Sequence, residues 1–271
     1  MSVSPSPVPP LSRSAVITRL RAAGCVYAED EAELLLAAAG GTAELAAMVD
    51  RRVLGLPLEH VLGWAEFHGL RIAVDPGVFV PRRRTEFLVE QAAALAPTRA
   101  VVADLCCGSG ALGTALVHAL GEGAELYAAD VDPAAVRCAR RNVDAVGGRV
   151  YEGDLYDPLP AALRGRIGIL LANAPYVPTE EIGLLPAEAR VHEARVALDG
   201  GADGLDIVRR VTAAAPRWLA PGGHLLFETS ERQTGSAVAT VAAAGLVPRV
   251  ARSEELYATV VIGTRPAAPA G

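Results

Sequence analysis

Short apolar segments alternate with helical stretches along most of the chain, and this alternation limits the possible folds more than any other feature. The predicted strands cover Ala100 to Leu105, Glu125 to Asp130, Arg149 to Glu152, Ile167 to Ala172, Gly223 to Glu228, Val247 to Ala251 and Tyr257 to Ile262. Strands separated by helices form βαβ units, and hence a parallel sheet. The last two strands are too close together for a parallel crossover, so they predict an antiparallel hairpin. The pattern therefore predicts an α/β fold with a doubly wound, mostly parallel seven-stranded sheet.

The remaining segments predict the domain organisation. Residues 12–63 carry apolar residues at helical spacing and predict a small helical N-terminal domain. Residues 64–84 predict a β-hairpin linker, with a turn at Asp75-Pro76-Gly77 between Leu70–Val74 and Val78–Val80. Residues 85–265 then form the α/β domain. The segments 1–11 and 266–271, rich in proline and small residues, predict disordered tails.

Composition excludes several kinds of chemistry. The chain contains no lysine, so all 25 basic residues are arginine, and a P-loop lysine or a pyridoxal Schiff base is excluded. The net charge of −6 disfavours a nucleic-acid partner. The cysteines form no CxxC pair and the histidines lack metal-ligand spacing, so no metal is expected. Without a signal peptide or a long apolar run, the sequence predicts a cytoplasmic protein that makes no membrane contact.

The first strand of the α/β domain ends near Asp104 and runs into the turn Cys106-Cys107-Gly108-Ser109-Gly110. Glycines at such a turn let a ligand approach the backbone, and the following helix offers free N–H groups. The acidic strand tip repels a pyrophosphate and suits the ammonium and sulfonium groups of S-adenosylmethionine. The segment resembles the first motif of the class I methyltransferases, Asp/Glu-x-Gly-x-Gly-x-Gly, with Cys106 at the first glycine. The resemblance implies that Asp104 anchors the methionine part of the cofactor and that the turn binds it.

Two further strand ends supply candidate cofactor ligands. Asp130 ends the second strand, where a carboxylate can accept hydrogen bonds from both ribose hydroxyls. Asp132 precedes Pro133 and is predicted to be the N-cap of the next helix. After the third strand, Asp154 is placed to accept a hydrogen bond from the adenine amine, and Leu155 is placed against the adenine face.

The fourth strand ends in Asn173-Ala174-Pro175-Tyr176, the most informative stretch of the chain. It resembles the Asn-Pro-Pro-Tyr motif of methyltransferases that modify a planar nitrogen, in a side-chain amide or a base. The lone pair of such a nitrogen is delocalised, so it is a poor nucleophile. The side-chain oxygen of Asn173 and the carbonyl of residue 174 can hold its two hydrogens and direct the lone pair, and Tyr176 can stack on the substrate. These four residues are the predicted catalytic residues, and Asn173 is also a predicted cofactor ligand.

Three other segments resemble one family, the protein-glutamine amide methyltransferases: Pro57 to Phe67, Val80 to Glu90 and Val191 to Leu205. Members of this family modify the glutamine of the Gly-Gly-Gln loop in peptide-chain release factors. The resemblance implies S-adenosylmethionine as cofactor and a protein substrate, with a release factor as the candidate partner.

The chain departs from the family pattern at a few positions, which is typical of a divergent branch. Ala174 and Ala194 replace prolines, and the run after Pro81 contains arginines where a proline-acidic pair is usual. Three alternatives stay open from the sequence: methylation of a nucleic-acid base, methylation of a small metabolite, and cofactor binding without catalysis. We interpret the arginine run as a solvated face.

Overall fold

The computed structural model describes residues 11–267, and the chain divides into two compact units between Gly63 and Trp64. The predicted tails fall mostly on residues 1–10 and 268–271, which lie outside the described residues. Leu11, assigned to the first tail, packs against the apolar core of the N-terminal unit. Within the described residues, no helix is long and apolar enough to cross a membrane.

The N-terminal unit is helical. Its four helices are α1 (Arg13–Ala22), α2 (Ala28–Ala38), α3 (Thr42–Val53) and α4 (Leu58–Leu62). The side chain of Ser12 caps α1 by accepting a hydrogen bond from the amide of Ala15. Fully buried side chains such as Val16, Leu20 and Leu35 form the core. Val16 and Leu20 lie one helical turn apart and define the buried face of α1.

The second unit begins with a hairpin that lies earlier than predicted. Strands β1 (Trp64–Phe67) and β2 (Leu70–Ala73) pair antiparallel through a two-residue turn. That turn is His68-Gly69, with positive φ angles of 51° and 74°, as a type I′ hairpin turn requires. The predicted pairing of Leu70–Val74 with Val78–Val80 is therefore wrong. The turn at residues 75–77 does form, but the amide of Val80 donates to the carboxylate of Glu193.

The α/β prediction is confirmed by a seven-stranded sheet. Its strands are β3 (Val101–Leu105), β4 (Glu125–Asp130), β5 (Arg149–Glu152), β6 (Ile167–Ala172), β7 (Leu219–Glu228), β8 (Val247–Ser253) and β9 (Ala258–Thr264). They lie in the order β5-β4-β3-β6-β7-β9-β8. Strands β3 to β7 are parallel, and β9 pairs antiparallel with both β7 and β8.

The described part of this unit contains six α-helices, five of which cover the two faces of the sheet. They are α5 (Glu86–Leu95), α6 (Ala111–Leu120), α7 (Pro133–Val143), α8 (Ala187–His192), α9 (Asp206–Trp218) and α10 (Thr234–Ala243), with short 3-10 turns at Arg83–Thr85, Asp144–Val146, Ala161–Leu163, Thr179–Leu184, Arg195–Ala197 and Glu231–Gln233. Helices α5 to α7 pack on one face, and α9 and α10 on the other. Every residue of β6 is buried, as expected for a strand covered on both sides. The strand order reverses between β3 and β6, and ligands bind such folds at the carboxyl ends of these strands.

Candidate active site

A pocket opens at the carboxyl ends of β3, β4 and β6, and we call it the cofactor pocket. It is bordered by the turn after β3 and by the loops that follow β4, β5 and β6. Eight of the predicted cofactor residues line it: Cys106, Cys107, Gly108, Ser109, Asp130, Asp154, Leu155 and Asn173. Asp104 and Gly110 are not among the residues that line it.

The backbone of the turn after β3 explains its glycine pattern. Gly108 and Gly110 have positive φ angles of 55° and 75°, which glycine adopts without steric cost. Cys106 adopts the same left-handed conformation, with φ of 54°, although it carries a Cβ. The cysteine at this position therefore costs roughly 1–2 kcal/mol that glycine would not. Burial raises the pKa of the Cys106 thiol, so the thiol stays neutral.

Asp130 fixes the turn from the end of β4. Its Oδ2 accepts a hydrogen bond from the amide of Gly108 at 2.8 Å, and its Oδ1 accepts one from the amide of Asp132 at 2.9 Å. Each carboxylate oxygen can accept a second hydrogen bond, so the group remains able to bind ribose hydroxyls. Burial raises the pKa of Asp130, while the backbone hydrogen bonds lower it. Asp132 caps α7, as predicted, by accepting from the amide of Ala134.

Asp104 lies behind the turn rather than in the pocket wall. The residue is 1% exposed, and its Oδ2 accepts a hydrogen bond from the amide of Gly113 in α6 at 2.9 Å. A Cβ at position 113 would lie 2.6 Å from Leu126 and 3.0 Å from this carboxylate oxygen, so glycine permits the close approach. Burial raises the pKa of Asp104 to about 7. In this structure Asp104 therefore supports the backbone that carries the cofactor turn.

The loop after β5 forms another side of the pocket. Leu155 lies there in a left-handed conformation with φ of 50°. The neighbouring Asp154 makes an ion pair with Arg210 of α9. The ion pair orients the Asp154 carboxylate, which is predicted to accept a hydrogen bond from the adenine amine.

A larger cleft adjoins the cofactor pocket, and we call it the acceptor cleft. All four predicted catalytic residues line it, from Asn173 to Tyr176. Asn173 and Pro175 line both cavities, as do Phe79 and Ala197. Asn173 therefore lies where the two cavities meet, which is where a methyl donor and an acceptor must approach each other.

A polar network around a buried carboxylate holds Tyr176. Glu228, at the end of β7, accepts hydrogen bonds from the Tyr176 hydroxyl at 2.9 Å, from Arg84 Nε at 2.9 Å and from the Thr85 hydroxyl at 2.7 Å. Arg84 also donates to the Tyr176 hydroxyl. Burial raises the pKa of Tyr176, so the phenol remains protonated and donates. The phenol group is thus held at both its donor and acceptor positions.

The backbone of the 173–176 loop is supported by a glycine-containing segment and a glutamine. Gln233 Nε2 donates to the carbonyl of Tyr176 and to that of Asp203, each at 2.8 Å. A Cβ at Gly204 would lie 2.2 Å from both the Gln233 amide nitrogen and the Tyr176 carbonyl oxygen, so only glycine fits there. Gly204 lies in the segment from Val191 to Leu205 that resembles the family. Its role depends on contacts with Gln233 and Tyr176, which sequence spacing does not reveal.

The arginine run is only partly a solvated face: Arg83 and Arg84 are exposed, but Arg84 and the half-buried Arg82 each pair with a buried carboxylate. Arg84 pairs with Glu228, and Arg82 Nη2 lies 2.5 Å from Oε1 of Glu193, whose side chain is fully buried. The guanidinium of Arg82 also lies over the ring of Phe79, 4.9 Å from its centre. Phe79, Glu193, Glu228 and Arg84 are absent from the predicted site. The pairs Arg82–Glu193 and Arg84–Glu228 join residues that are 111 and 144 positions apart in the chain, so no local pattern indicates them.

The cofactor pocket fits S-adenosylmethionine. Asp130 would offer acceptors to the ribose hydroxyls, Val131, Leu155 and Ile207 would supply apolar contact for the adenine, and the backbone near Gly108 would permit close approach. When bound, S-adenosylmethionine supplies an electrophilic methyl group on a positively charged sulfur. The carboxylates at the pocket favour that charge electrostatically.

Comparisons with known proteins identify the family of this chain. Residues 69–203 match the family model described as "Methyltransferase small domain". The chain is 42% identical over 190 residues to a release factor glutamine methyltransferase of Geobacter sulfurreducens, covering 68% of this chain and 66% of that protein. It is 41% identical over 217 residues to the protein of the same name from Moorella thermoacetica, covering 79% and 75%.

A solved structure supports the fold alone. The methyltransferase from Pyrococcus furiosus superposes with a TM-score of 0.54 at 16% identity, covering 73% of this chain and 90% of that one. The functional assignment rests on the sequence relatives. The chain belongs to the release factor glutamine methyltransferase family and is an S-adenosylmethionine-dependent N-methyltransferase.

Proposed function

We propose that this enzyme methylates the side-chain amide nitrogen of a glutamine in a peptide-chain release factor. The position of Asn173 between the cofactor pocket and the acceptor cleft is the observation that carries the proposal. The relatives named as release factor glutamine methyltransferases support the choice of substrate.

The residues at the junction act by positioning the nitrogen. The side-chain oxygen of Asn173 and the carbonyl of Ala174 accept the two amide hydrogens, which turns the nitrogen lone pair toward the cofactor pocket. Pro175 restricts the backbone of Ala174 to extended conformations, so that its carbonyl keeps its direction. Tyr176, held by Glu228 and Arg84, forms a fixed wall of the cleft.

The protonation states of nearby groups suit this reaction. Because an N-methylated amide that still carries its extra proton is a strong acid, the proton leaves without a strong base. The neutral Cys106 thiol lines the cofactor pocket, and burial raises its pKa. Since thiolates are the nucleophilic form of cysteine, the neutral thiol does not compete for the methyl group.

The charge of the acceptor cleft supports a protein partner over a nucleic acid. Six acidic residues and four arginines line it, and three of those arginines already pair with carboxylates. Such a lining does not attract phosphates. A substrate that acts in translation places the enzyme in the cytoplasm.

A labelling experiment tests this function. The enzyme would be incubated with methyl-labelled S-adenosylmethionine and three separate preparations: unmethylated release factor, total RNA with DNA, and small metabolites. We expect label in the release factor, at one glutamine identified by mass spectrometry, and none when that glutamine is replaced by alanine. Label in nucleic acid or metabolites, or in none of the preparations, would overturn the proposal.

A further inference from the structure

The exposed apolar side chains of the catalytic unit are concentrated around its two cavities. Among the described residues from Trp64 onward, the large apolar side chains that are exposed are those of Val131, Leu184, Val191, Val196, Val247 and Tyr257. Val131 and Val196 line the cofactor pocket, and Leu184 and Tyr257 line the acceptor cleft. Exposed apolar groups that cluster in this way mark binding surfaces.

Two of these side chains are almost fully exposed, and we call them the rim patch. Leu184 is 82% exposed at the end of the 3-10 turn after β6, and Tyr257 is 92% exposed between β8 and β9. Both line the cleft that contains Asn173. The rim patch is therefore continuous with the surface that receives the acceptor.

The backbone of Tyr257 adds a second, independent observation. Tyr257 is the last residue of the four-residue connection between β8 and β9, and its φ is 50°. Glycine or asparagine occupies such left-handed turn positions at lower steric cost. A side chain that is 92% exposed gains little packing energy within the fold. Folding therefore does not explain tyrosine at this position, and strained residues concentrate at functional sites.

The same conformation occurs elsewhere in the site. Five non-glycine residues in the described part of the chain have a positive φ: His68, Arg99, Cys106, Leu155 and Tyr257. Cys106 and Leu155 line the cofactor pocket, and Tyr257 lines the acceptor cleft. Three of these five residues therefore line one of the two cavities.

From these observations we infer that Leu184 and Tyr257 dock the protein substrate, by contacting apolar side chains next to the loop that carries its glutamine. This inference rests on the proposed function and names the surface that recognises the partner. The occupant is a protein segment that carries apolar side chains and no excess of negative charge, because acidic residues outnumber arginines in the cleft. Tyrosine is enriched among residues that dominate protein interfaces.

Two substitutions test the rim patch. Tyr257→Asn suits the left-handed backbone, and Leu184→Ala shortens an exposed side chain. We expect each to raise KM for unmethylated release factor by about tenfold, with kcat and the Kd for S-adenosylmethionine unchanged. Val247→Ser is the matched control, because Val247 is 59% exposed but lines neither cavity.

Thermal unfolding separates docking from a structural role. We expect Tyr257→Asn to keep the wild-type Tm or raise it by up to about 3 °C, because the strain is relieved. A Tm lower by several degrees would show that the tyrosine stabilises the fold and would overturn the inference.

The outcomes also distinguish a failure of the docking inference from a failure of the proposed function. If the wild-type enzyme methylates the release factor and both rim variants keep the wild-type KM, the docking inference alone fails. If the wild-type enzyme labels only nucleic acid, or nothing, both fail. If light scattering shows a wild-type dimer that Tyr257→Asn dissociates, the patch joins two copies of this chain and the inference is overturned.

Discussion

The amide of Gly108 donates a hydrogen bond to Oδ2 of Asp130 across 2.8 Å, which joins the cofactor turn after β3 to the end of β4. One carboxylate thus shapes the turn and offers acceptors to the pocket. The two roles make Asp130 sensitive to substitution in a predictable way.

We expect Asp130→Ala to weaken S-adenosylmethionine binding by well over tenfold, because hydrogen bonds to a charged acceptor are each worth roughly 1.5–3 kcal/mol. Isothermal titration calorimetry measures the affinity. Asp130→Asn, which keeps one acceptor oxygen, should show a smaller loss. An unchanged affinity in Asp130→Ala would remove this residue from the cofactor site.

Asn173→Ala should leave the affinity for S-adenosylmethionine largely intact and reduce kcat by about a hundredfold, as loss of one preorganised polar group does. The side-chain oxygen orients the accepting nitrogen, so the effect belongs to turnover. Steady-state kinetics on the release factor, with calorimetry on the cofactor, measure the two effects. Turnover near the wild-type rate would show that another group holds the acceptor.

Ala174→Pro restores the proline of the family pattern. If residue 174 contributes only its carbonyl, activity should stay within about tenfold of wild type, a change below ~1.4 kcal/mol in the barrier. Ala174 is 2% exposed, so the larger ring must fit a packed environment, and a melting curve checks that the variant folds. A folded but inactive variant would indicate that alanine makes room for a differently shaped substrate.

Arg84→Ala should lower kcat/KM for the protein substrate by about tenfold, because it removes one of the two hydrogen bonds that hold the Tyr176 hydroxyl and the cation beside buried Glu228. The Kd for the cofactor should not change. Arg84→Lys should rescue part of the loss, since lysine retains the charge but not the forked geometry. Arg83→Ala is the matched control on an exposed neighbour, and equal effects from both alanines would refute a role through Tyr176.

The raised pKa of Asp104 predicts how stability depends on pH. The folded chain holds this proton up to about pH 7, whereas an unfolded aspartate loses it near pH 4. Between these values the folded state binds more protons, so the contribution of Asp104 to the free energy of unfolding decreases as the pH rises.

Asp104→Asn is neutral at every pH, and its amide oxygen can still accept from Gly113. Without cofactor, its Tm should exceed that of the wild type at pH 8, and the difference should shrink toward pH 5. Asp144→Asn, at an exposed aspartate, should follow the wild-type curve. A constant difference between Asp104→Asn and the wild type across this range would contradict the shifted pKa.

The strand ends that carry the site could be predicted from sequence for a physical reason. Buried parallel strands are apolar throughout, so the first polar residue after each run marks the carboxyl edge of the sheet. Asp130 and Asn173 both follow this pattern, although the role of Asn173 comes from its motif, and the structure brings both residues to the cofactor pocket. The start of β7 was less predictable, since Pro221 and Gly222 resemble a turn but lie within the strand.

Contacts between distant segments could not be predicted in this way. Arg84 and Glu228 are 144 residues apart in sequence, and a short run of arginines is typical of a solvated face. The hairpin was misplaced because Asp75-Pro76-Gly77 has stronger turn composition than His68-Gly69, although the latter closes it. In both cases tertiary contacts decide between locally similar alternatives.

A buried asparagine joins two parts of the catalytic unit. The side chain of Asn142 in α7 exchanges hydrogen bonds with both the amide and the carbonyl of Ala73 in β2, and it donates to the carbonyl of Ser109 in the cofactor turn. If either segment opened, this buried amide group would lose partners, which is energetically costly. The hairpin and the cofactor turn therefore form one cooperative unit. Hydrogen exchange at the Ala73 amide should accelerate when the cofactor turn opens.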